Sequence, residues 1–253
     1  MFNFTEAQIL AWLTPLLWPF LRMLALLTAL PVFSQKSVPL RVKVGLALFI
    51  ALAAQASLPA MPVVALDSPA GVINVLQQVL VGATLGFAVR VVFAALELGG
   101  ELIGLQMGLN FAGFFDPATA SQGTASGRFF GTMVAFLFIL GNGHLAVITA
   151  LVHSFEVFAV GDEPFAFLRN TQPQQWGTAL FTLGLWIALP LVGMLLFVNL
   201  VLGVISRVAP QISVFSVGFP VTVSVGLIGM LVTLPLLEQP FTAALDGMLV
   251  QFR

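Results

Sequence analysis

The chain has 253 residues and a net charge of -1, and 59% of its residues are hydrophobic whereas only 8% are charged. Soluble domains carry about 25% charged residues, so this composition excludes a water-soluble globule and predicts a single polytopic integral membrane domain. The near-neutral charge gives no support for nucleic-acid binding, and the lack of cysteine excludes disulfides, Cys-ligated zinc and thiol catalysis. Residues 1–6 lack the basic region of a cleavable signal, so we expect the first apolar segment to remain in the mature protein.

Six apolar segments follow one another along the chain, separated by charged or Pro-rich connections. They are residues 7–30, 44–58, 71–96, 129–151, 176–205 and 221–237. The connection before the second segment is the most basic, with Lys36, Arg41 and Lys43, and short loops rich in Lys and Arg face the cytoplasm. Counting from this loop, we expect about six spans, an N-terminus outside, and residues 97–128 and 206–220 inside.

Two of these segments carry helix-breaking signals. The sequence GNGH at 141–144 predicts a turn inside the fourth segment. The fifth segment, residues 176–205, would form a helix of about 45 Å, which exceeds the hydrocarbon core of about 30 Å. Because Pro190 lies near its middle, we expect this segment to be either kinked and tilted or split into two half-helices.

Glycines recur every four residues at three places, a spacing that lets two helices approach closely in lipid. The sets are Gly82 with Gly86, Gly100 with Gly104 and Gly108, and Gly127 with Gly131. Packing within the chain is the simpler interpretation, and packing between subunits is the functional alternative.

Three charged residues occupy one face of a predicted helix. Arg90, Glu97 and Glu101 share that face, yet Glu97 and Glu101 are like charges four residues apart and repel each other. We therefore expect partners on another helix or another subunit, with Arg22 and Arg207 as candidates within the chain. The alternatives are a helix end that already lies in water and the proton relay of a transporter.

The sequence carries no motif of a known enzyme class. It has no HExxH, GxSxG or Walker A pattern, so zincin, serine-hydrolase and P-loop NTPase activities have no support. Gly161 and Asp162 resemble part of an intramembrane aspartyl motif, but they lie in a polar connection without a second partner. His144 and His153, near the ends of a span, are interpreted as interfacial side chains. We predict no enzyme activity, no cofactor and no metal site.

Two stretches stand out, ELIGLQMGLNFAGFFDP at 101–117 and RVAPQISVFSVGFP at 207–220. They resemble the signature regions of the FliR family, the flagellar branch of the export-gate proteins of type III secretion. The stretch RMLALLTALPVFSQKSVPLRVKVGLAL at 22–48 is similar to the family's N-terminal pattern. Family members commonly have Asn at Ser213 and Ser at Asn110, departures that affect local hydrogen bonds. The connector positions of the family signature are Pro210, Gln211, Phe215, Gly218 and Pro220.

The resemblance implies an all-α polytopic membrane protein of helical hairpins with kinked or broken helices, built into a helical multi-subunit export gate. It implies FliP-like and FliQ-like subunits and a FlhB-like protein as partners, and unfolded flagellar proteins as exported substrates. The implied location is the flagellar basal body in the bacterial inner (cell) membrane. Residues 1–253 would form one domain with a FliP-like N-terminal part and a FliQ-like C-terminal part.

Two alternatives to the flagellar gate stay open. The injectisome homologue is the sister branch, although the context of Asp116 and Pro117 favours the flagellar one. A secondary transporter with a proton-coupled site at Glu97 and Glu101 and a broken helix at Pro190 is the rival class.

The resemblance also implies that a loop after the glycine-rich helix contributes to the plug of the export pore. The residues carried over are Met107, Gly108, Leu109, Asn110, Phe111, Gly113, Phe114, Phe115, Asp116 and Pro117. The chemistry of the loop agrees, because glycine permits backbone conformations that other residues rarely adopt and the phenylalanines supply apolar bulk that blocks water and ions. An ordinary re-entrant loop buried in the fold is the alternative.

Overall fold

The computed structural model describes residues 6–109, 124–161, 163–209, 211 and 214–253. Within these ranges all regular structure is helical, which confirms the predicted all-α class. The α-helices of the described residues, in chain order, are α1 (Glu6–Ala29), α2 (Leu40–Ala54), α3 (Pro69–Met107), α4 (Ala125–Leu140), α5 (Gly143–Val157), α6 (Ala166–Thr171), α7 (Trp176–Val208), α8 (Phe219–Thr233) and α9 (Glu238–Leu249).

Short helical turns of other pitch adjoin several of these helices. Turns of 3-10 type occur at Gln55–Ser57, Pro173–Gln175, Leu234–Leu237 and Val250–Phe252, and a π-helix at Val214–Gly218 directly precedes α8. Because such turns join one helix to the next without an extended loop, the chain from Ser216 to Phe252 forms one long apolar helical stretch.

Four helical stretches of the described chain are long and apolar enough to cross a membrane. They are Leu40–Ser57, Pro69–Met107, Ala166–Val208 and Ser216–Phe252. The count rises to five if α4 and α5 together form one broken span, with the break at Gly141 and Asn142, where GNGH predicted a turn. The prediction of about six spans also counts the first apolar segment and stays a prediction. That segment forms α1, which has 24 residues (Glu6–Ala29), more than the roughly 20 that a span needs, and its apolar helix is identified over Leu13–Ala29.

α7 continues without interruption through Pro190. Proline lacks the N–H that would bond to the carbonyl oxygen four residues earlier, so continuing the helix loses one backbone hydrogen bond. Splitting the helix would leave several backbone groups unpaired in an apolar medium, which costs more. Of the two predicted alternatives for this segment, the split into half-helices is therefore wrong.

The chain divides into two compact units, and each unit collects distant parts of the sequence. The first unit contains Met1–Val91, Asn142–Trp176 and Leu245–Arg253, and the second contains Val92–Gly141 and Gly177–Ala244. The FliP-like and FliQ-like parts implied by the family resemblance stay a prediction.

In the first unit, α1 and α3 approach each other closely at two glycines. A methyl group at Gly82 would overlap the backbone oxygen of Arg22, and one at Gly86 would lie 2.5 Å from the Cβ of Ala29. Both contacts are closer than van der Waals distance, so the two helices can lie this close only because glycine stands at these positions. This glycine pair is therefore used within the chain.

The second unit has a core drawn from α3, α4, α7 and the α8 region. Its buried members are Ile103, Met107, Phe130, Ala188, Leu191, Leu195, Met230 and Leu237. Phe93 adds edge-to-face contacts with Phe138 and Phe241, at ring-centroid distances of 5.5 and 6.0 Å, a geometry that aromatic pairs favour. This core surrounds the C-terminal part of α3, where the signature stretch 101–117 begins.

Candidate functional site

The C-terminal part of α3 packs against α4 through glycines on both helices. On α3, Gly100 faces Phe130 and Gly104 faces Ser126, and on α4, Gly127 faces Glu101 and Gly131 faces Glu97. A methyl group at Gly104 would overlap the hydroxyl of Ser126, so a larger residue there would push the helices apart. At these glycines the structure has the simpler of the two predicted arrangements, packing within the chain.

Glu101 of α3 contributes to the N-terminal cap of α4. Its Oε1 accepts a hydrogen bond of 2.8 Å from the backbone N–H of Thr124, and Thr124 is the N-cap residue whose Oγ1 accepts from the N–H of Gly127 at 3.0 Å. The first N–H groups of a helix have no partner inside the helix, and the helix dipole favours a negative charge there. The half-buried carboxylate of Glu101 is thus satisfied by a helix terminus.

The last carbonyl groups of α3 are bonded by side chains of two other helices. Asn199 of α7 donates from Nδ2 to the carbonyl oxygen of Gln106 at 3.3 Å, and Thr222 of α8 donates from Oγ1 to the carbonyl oxygen of Met107 at 3.3 Å. The last four carbonyls of a helix lack partners within it, so these side chains satisfy backbone groups that would otherwise be unpaired. They also tie the end of α3 to both helices.

Met107 and Gly108 end α3 in a fixed geometry. Gly108 has a φ of 80°, the left-handed conformation in which helices often terminate because glycine carries no Cβ penalty. The Met107 side chain is 1% exposed and lies against Gly226 of α8, where an added methyl group would come within 2.5 Å of its Cγ. Leu109 packs on the same core as Met107. These residues are the start of the predicted plug.

The remainder of the predicted plug lies outside the described residues. These positions are Asn110, Phe111, Gly113, Phe114, Phe115, Asp116 and Pro117. The structure therefore shows where the loop leaves α3 and where the chain resumes before α4, and the plug assignment itself stays a prediction.

The predicted charged residues are distributed along two helices. Arg90 and Glu97 are exposed on α3, Glu101 is half-buried at the α4 cap, and Arg207 is exposed in the last turn of α7. Among the described residues, Glu101 and Arg207 form no ion pair with each other. The role of these four charges between subunits stays a prediction.

Arg22, the other candidate partner for these charges, is bonded inside the first unit. It is completely buried, and Nε donates to Gln78 Oε1 at 2.8 Å while Nη1 donates to Ser154 Oγ at 2.8 Å. Nη2 donates to the carbonyl oxygen of Phe158 at 2.9 Å, and the guanidinium carbon lies 3.6 Å from the centre of the Phe155 ring. Each of these partners is electrically neutral.

The polar network around Arg22 extends through a second glutamine. Gln78 Nε2 donates to Gln77 Oε1 at 3.1 Å, and Gln77 Nε2 donates to the carbonyl oxygen of Ala159 at 3.1 Å. Sequence reasoning did not find Gln77, Gln78 or Ser154 as partners. The adjacent glutamines in an otherwise apolar helix are the signal that could have found them, because polar side chains inside such helices need hydrogen-bond partners.

Comparison with known proteins places the whole chain in one family. The family model described as bacterial export proteins, family 1, matches residues 13–248. The chain is 44% identical over 244 residues to the flagellar biosynthetic protein FliR of Escherichia coli (strain K12), covering 95% of this chain and 92% of that protein. The chain belongs to the FliR family of bacterial export proteins.

Two further relatives in the FliR family show the same pattern of full-length similarity. The chain is 41% identical over 244 residues to FliR of Pectobacterium carotovorum subsp. carotovorum, covering 95% of this chain and 92% of that protein. It is 29% identical over 220 residues to FliR of Bacillus subtilis (strain 168), covering 84% of this chain and 83% of that protein. The resemblance inferred from the signature stretches is confirmed. With its membrane-length helices, this FliR-family chain is a membrane component of the flagellar export apparatus.

The FliR signature connector lies between α7 and α8. Gln211 is an exposed turn residue, Phe215 lies in the π-helix, Gly218 is buried at its end, and Pro220 occupies the first turn of α8. Proline fits the first helical turn because its missing N–H would be unpaired there in any case. Pro210 lies outside the described residues.

α7 and α8 of this FliR-family chain expose large apolar side chains over most of their length. On α7 the most exposed are Phe181, Trp186, Leu189, Phe197, Leu200, Val204 and Val208, and on α8 they are Leu227, Ile228, Leu231 and Val232. Within an apolar 18-residue part of the stretch Ala166–Val208, only 17% is buried within the chain, against 61% within such a part of α3. These surfaces must be covered by lipid or by other proteins.

Proposed function

We propose that the chain is a non-enzymatic subunit of the flagellar type III export gate in the bacterial inner membrane. In this proposal it assembles with FliP-like and FliQ-like subunits, and together they form the pore through which unfolded flagellar proteins are exported. A FlhB-like protein docks on the closed gate. The full-length family match supports the general assignment, and the exposed surface of α7 supports assembly with other subunits.

The length of the apolar surface on α7 is the observation that carries the proposal of partners. Large apolar side chains are exposed from Phe181 to Val208, which corresponds to about 40 Å at 1.5 Å per residue. A hydrocarbon core is about 30 Å thick. For a helix perpendicular to the membrane, lipid alone would leave about 10 Å of this surface in water. Lipid would cover all of it only if the helix were strongly tilted, whereas protein neighbours cover it in either orientation.

Within this gate we propose that residues 107–117 form part of the pore plug. The described start of this segment supports the proposal, because the end of α3 is bonded to α4, α7 and α8 and therefore gives the segment a fixed origin. The apolar side chains of Phe111, Phe114 and Phe115 would then exclude water and ions from the closed pore.

The rival transporter function has lost one of its two supports. It required a broken helix at Pro190 with half-helix ends that hold a substrate, and α7 is continuous there. Its other support was a proton-coupled site at Glu97 and Glu101, where Glu101 accepts a hydrogen bond from the start of α4.

Co-expression tests the proposal directly. Expressed alone, the chain should be polydisperse in mild detergent, and with FliP-like and FliQ-like partners it should elute as one discrete complex. A matched variant of that complex, with residues 110–116 replaced by glycine, should assemble normally but make the membrane leaky to ions. A stable monomer that transports a small solute would refute the gate proposal, and unchanged ion conductance in the assembled variant would refute the plug location.

A further inference from the structure

Three polar contacts and one steric contact involve the last turns of α3. A fourth polar contact joins Thr124 and Ser126 at the start of α4, and all of them lie in the second unit. We name this set the α3 collar: the carboxylate of Glu101 with the N–H of Thr124, the side chains of Asn199 and Thr222 with the carbonyls of Gln106 and Met107, the hydroxyls of Thr124 and Ser126, and the Met107 side chain against Gly226. We propose that Glu101, Asn199 and Thr222 are positioning residues that fix both ends of the connection between α3 and α4. This inference rests on the proposed function for its consequence in the pore.

The first support is that the polar side chains of the α3 collar lie in mostly apolar helices. Asn199 is the only amide side chain in α7, which is otherwise almost wholly apolar. A polar side chain in such a helix is costly unless it is hydrogen-bonded. The described partner of Asn199 is a backbone carbonyl of another helix, so its hydrogen bond joins two elements instead of satisfying its own turn.

The second support comes from a comparison of two threonines on α8. Thr233 donates to the carbonyl oxygens of Gly229 and Met230 in its own helix, which is the usual way for a threonine to be satisfied in an apolar helix. The hydroxyl of Thr222 also donates to a carbonyl oxygen of its own helix, that of Phe219 at 3.0 Å, but the same hydroxyl lies 3.3 Å from the carbonyl oxygen of Met107 in α3. The position of Thr222 therefore links α8 to the end of α3.

The third support is that both ends of the connection are held. On the α3 side, Asn199 and Thr222 bond the last carbonyls, and the glycine conformation of Gly108 sets the direction in which the chain leaves the helix. On the α4 side, Glu101 bonds the N–H of Thr124, the residue at which the described chain resumes. Because Glu101 itself belongs to α3, one helix carries the contacts that locate both ends.

The steric contact between Met107 and Gly226 also sets how closely the end of α3 lies to α8. An added methyl group at Gly226 would lie 2.5 Å from the Cγ and 2.6 Å from the sulfur of Met107. Methionine is flexible and can move away from such a contact, but Met107 is 1% exposed and surrounded by core residues. Gly226→Ala should therefore displace the end of α3 from α8.

A spin-label experiment measures the collar without reference to export. The chain has no cysteine, so Leu105→Cys on α3 and Ala125→Cys on α4, both exposed positions, can be labelled in protein purified from membranes with the chains that accompany it. A sample without the two cysteines provides the background. We expect a narrow distance distribution, which becomes at least about twofold wider in Thr222→Val, Asn199→Leu and Gly226→Ala.

Thr233→Val is the matched control, because it removes the same hydroxyl from the same helix but breaks bonds only within α8. Its distance distribution should match that of the parent. Glu101→Gln retains an acceptor for the Thr124 N–H, so its distance distribution should be closer to that of the parent than the distribution of Glu101→Ala is. If Thr222→Val, which changes the side-chain volume least, leaves the distribution as narrow as Thr233→Val does, the collar proposal is overturned.

Ion leak measured on the same variants separates this inference from the proposed function. A wider distribution together with increased leak supports both the collar and the plug. A wider distribution with unchanged leak supports the collar and counts against the plug location. An unchanged distribution overturns the collar, whatever the leak.

Discussion

Arg22 and Glu101 are both charged side chains on apolar helices, and the two compact units satisfy them in different ways. In the first unit Arg22 is completely buried and donates to two neutral side chains and one carbonyl. In the second unit Glu101 is half-buried and accepts from the N–H at the start of a helix. The cation is therefore surrounded by acceptors from α3, α5 and the turn after α5, whereas the anion is placed at the positive end of one helix dipole.

The difference shows that a charge on an apolar helix does not require an opposite charge. Neutral acceptors around Arg22 and a helix terminus beside Glu101 supply the hydrogen bonds that ion pairs were expected to supply. The two arrangements should differ in how much they contribute to stability. The completely buried Arg22 donates to three acceptors, whereas the half-buried Glu101 accepts from one N–H, so substitutions of Arg22 should have the larger effect.

The largest effect is expected for Arg22→Met, which keeps most of the volume but removes every donor. Gln78, Ser154 and the Phe158 carbonyl would lose a charged partner in a buried site, and we expect the free energy of unfolding to fall by about 3–5 kcal/mol. The measurement is the temperature at which half of the protein remains soluble in mild detergent. The midpoint temperature of Arg22→Lys should lie between those of the parent and of Arg22→Met, because an ammonium group cannot reach three separated acceptors with the geometry of a guanidinium.

The control for this prediction is Arg169→Met, which removes a guanidinium from an exposed ion pair with Glu163. Exposed pairs contribute little to stability, so the melting temperature should hardly change. If Arg22→Met melts like Arg169→Met, the buried network does not stabilise the first unit.

A smaller effect is expected from a single methyl group beside the Arg22 site. Gly82→Ala would overlap the backbone oxygen of Arg22, and because backbone moves less easily than a side chain, we expect a loss of about 1–3 kcal/mol. Gly193→Ala is the matched control on α7, since it meets no atom of the chain within 4 Å. In the isolated chain it should be neutral or slightly stabilising, because alanine favours helices. Equal destabilisation by both substitutions would contradict the close approach of α1 and α3.

The smallest of the three effects is expected at the anionic site. Glu101→Ala removes one acceptor from the α4 cap and should cost about 1–2 kcal/mol, whereas Glu101→Gln should cost less because it keeps an acceptor. Recovery of the assembled complex is the measurement, and Glu238→Ala on α9, an exposed carboxylate in the first turn of its own helix, should change it little.

A charge swap distinguishes the cap from an ion pair. Because the described partner of Glu101 is a backbone N–H, Glu101→Arg combined with Arg207→Glu should not restore assembly. Restoration by this double substitution would show that a direct pair with Arg207 dominates at this site.

Much of the fold follows from local patterns in the sequence. The deficit of charge predicted the membrane class, GNGH predicted the end of α4 and the start of α5, and the glycines at four-residue spacing predicted close helix packing. Signature stretches at the C-terminal ends of α3 and α7 identified the family. These features depend on residues close together in the chain, which is why a single sequence reveals them.

The sequence by itself also determined that Glu101 needs a partner and offered Arg22 as a candidate, because an unsatisfied charge in an apolar helix is costly. Only the tertiary structure decided what the partners of these two residues are. Oppositely charged residues can be sought in a sequence, but every residue except proline carries a backbone N–H and every residue a carbonyl, so the Thr124 N–H and the Phe158 carbonyl have no distinguishing signal. The roles of Asn199 and Thr222 likewise depend on helices that are far apart in the chain and meet only after folding.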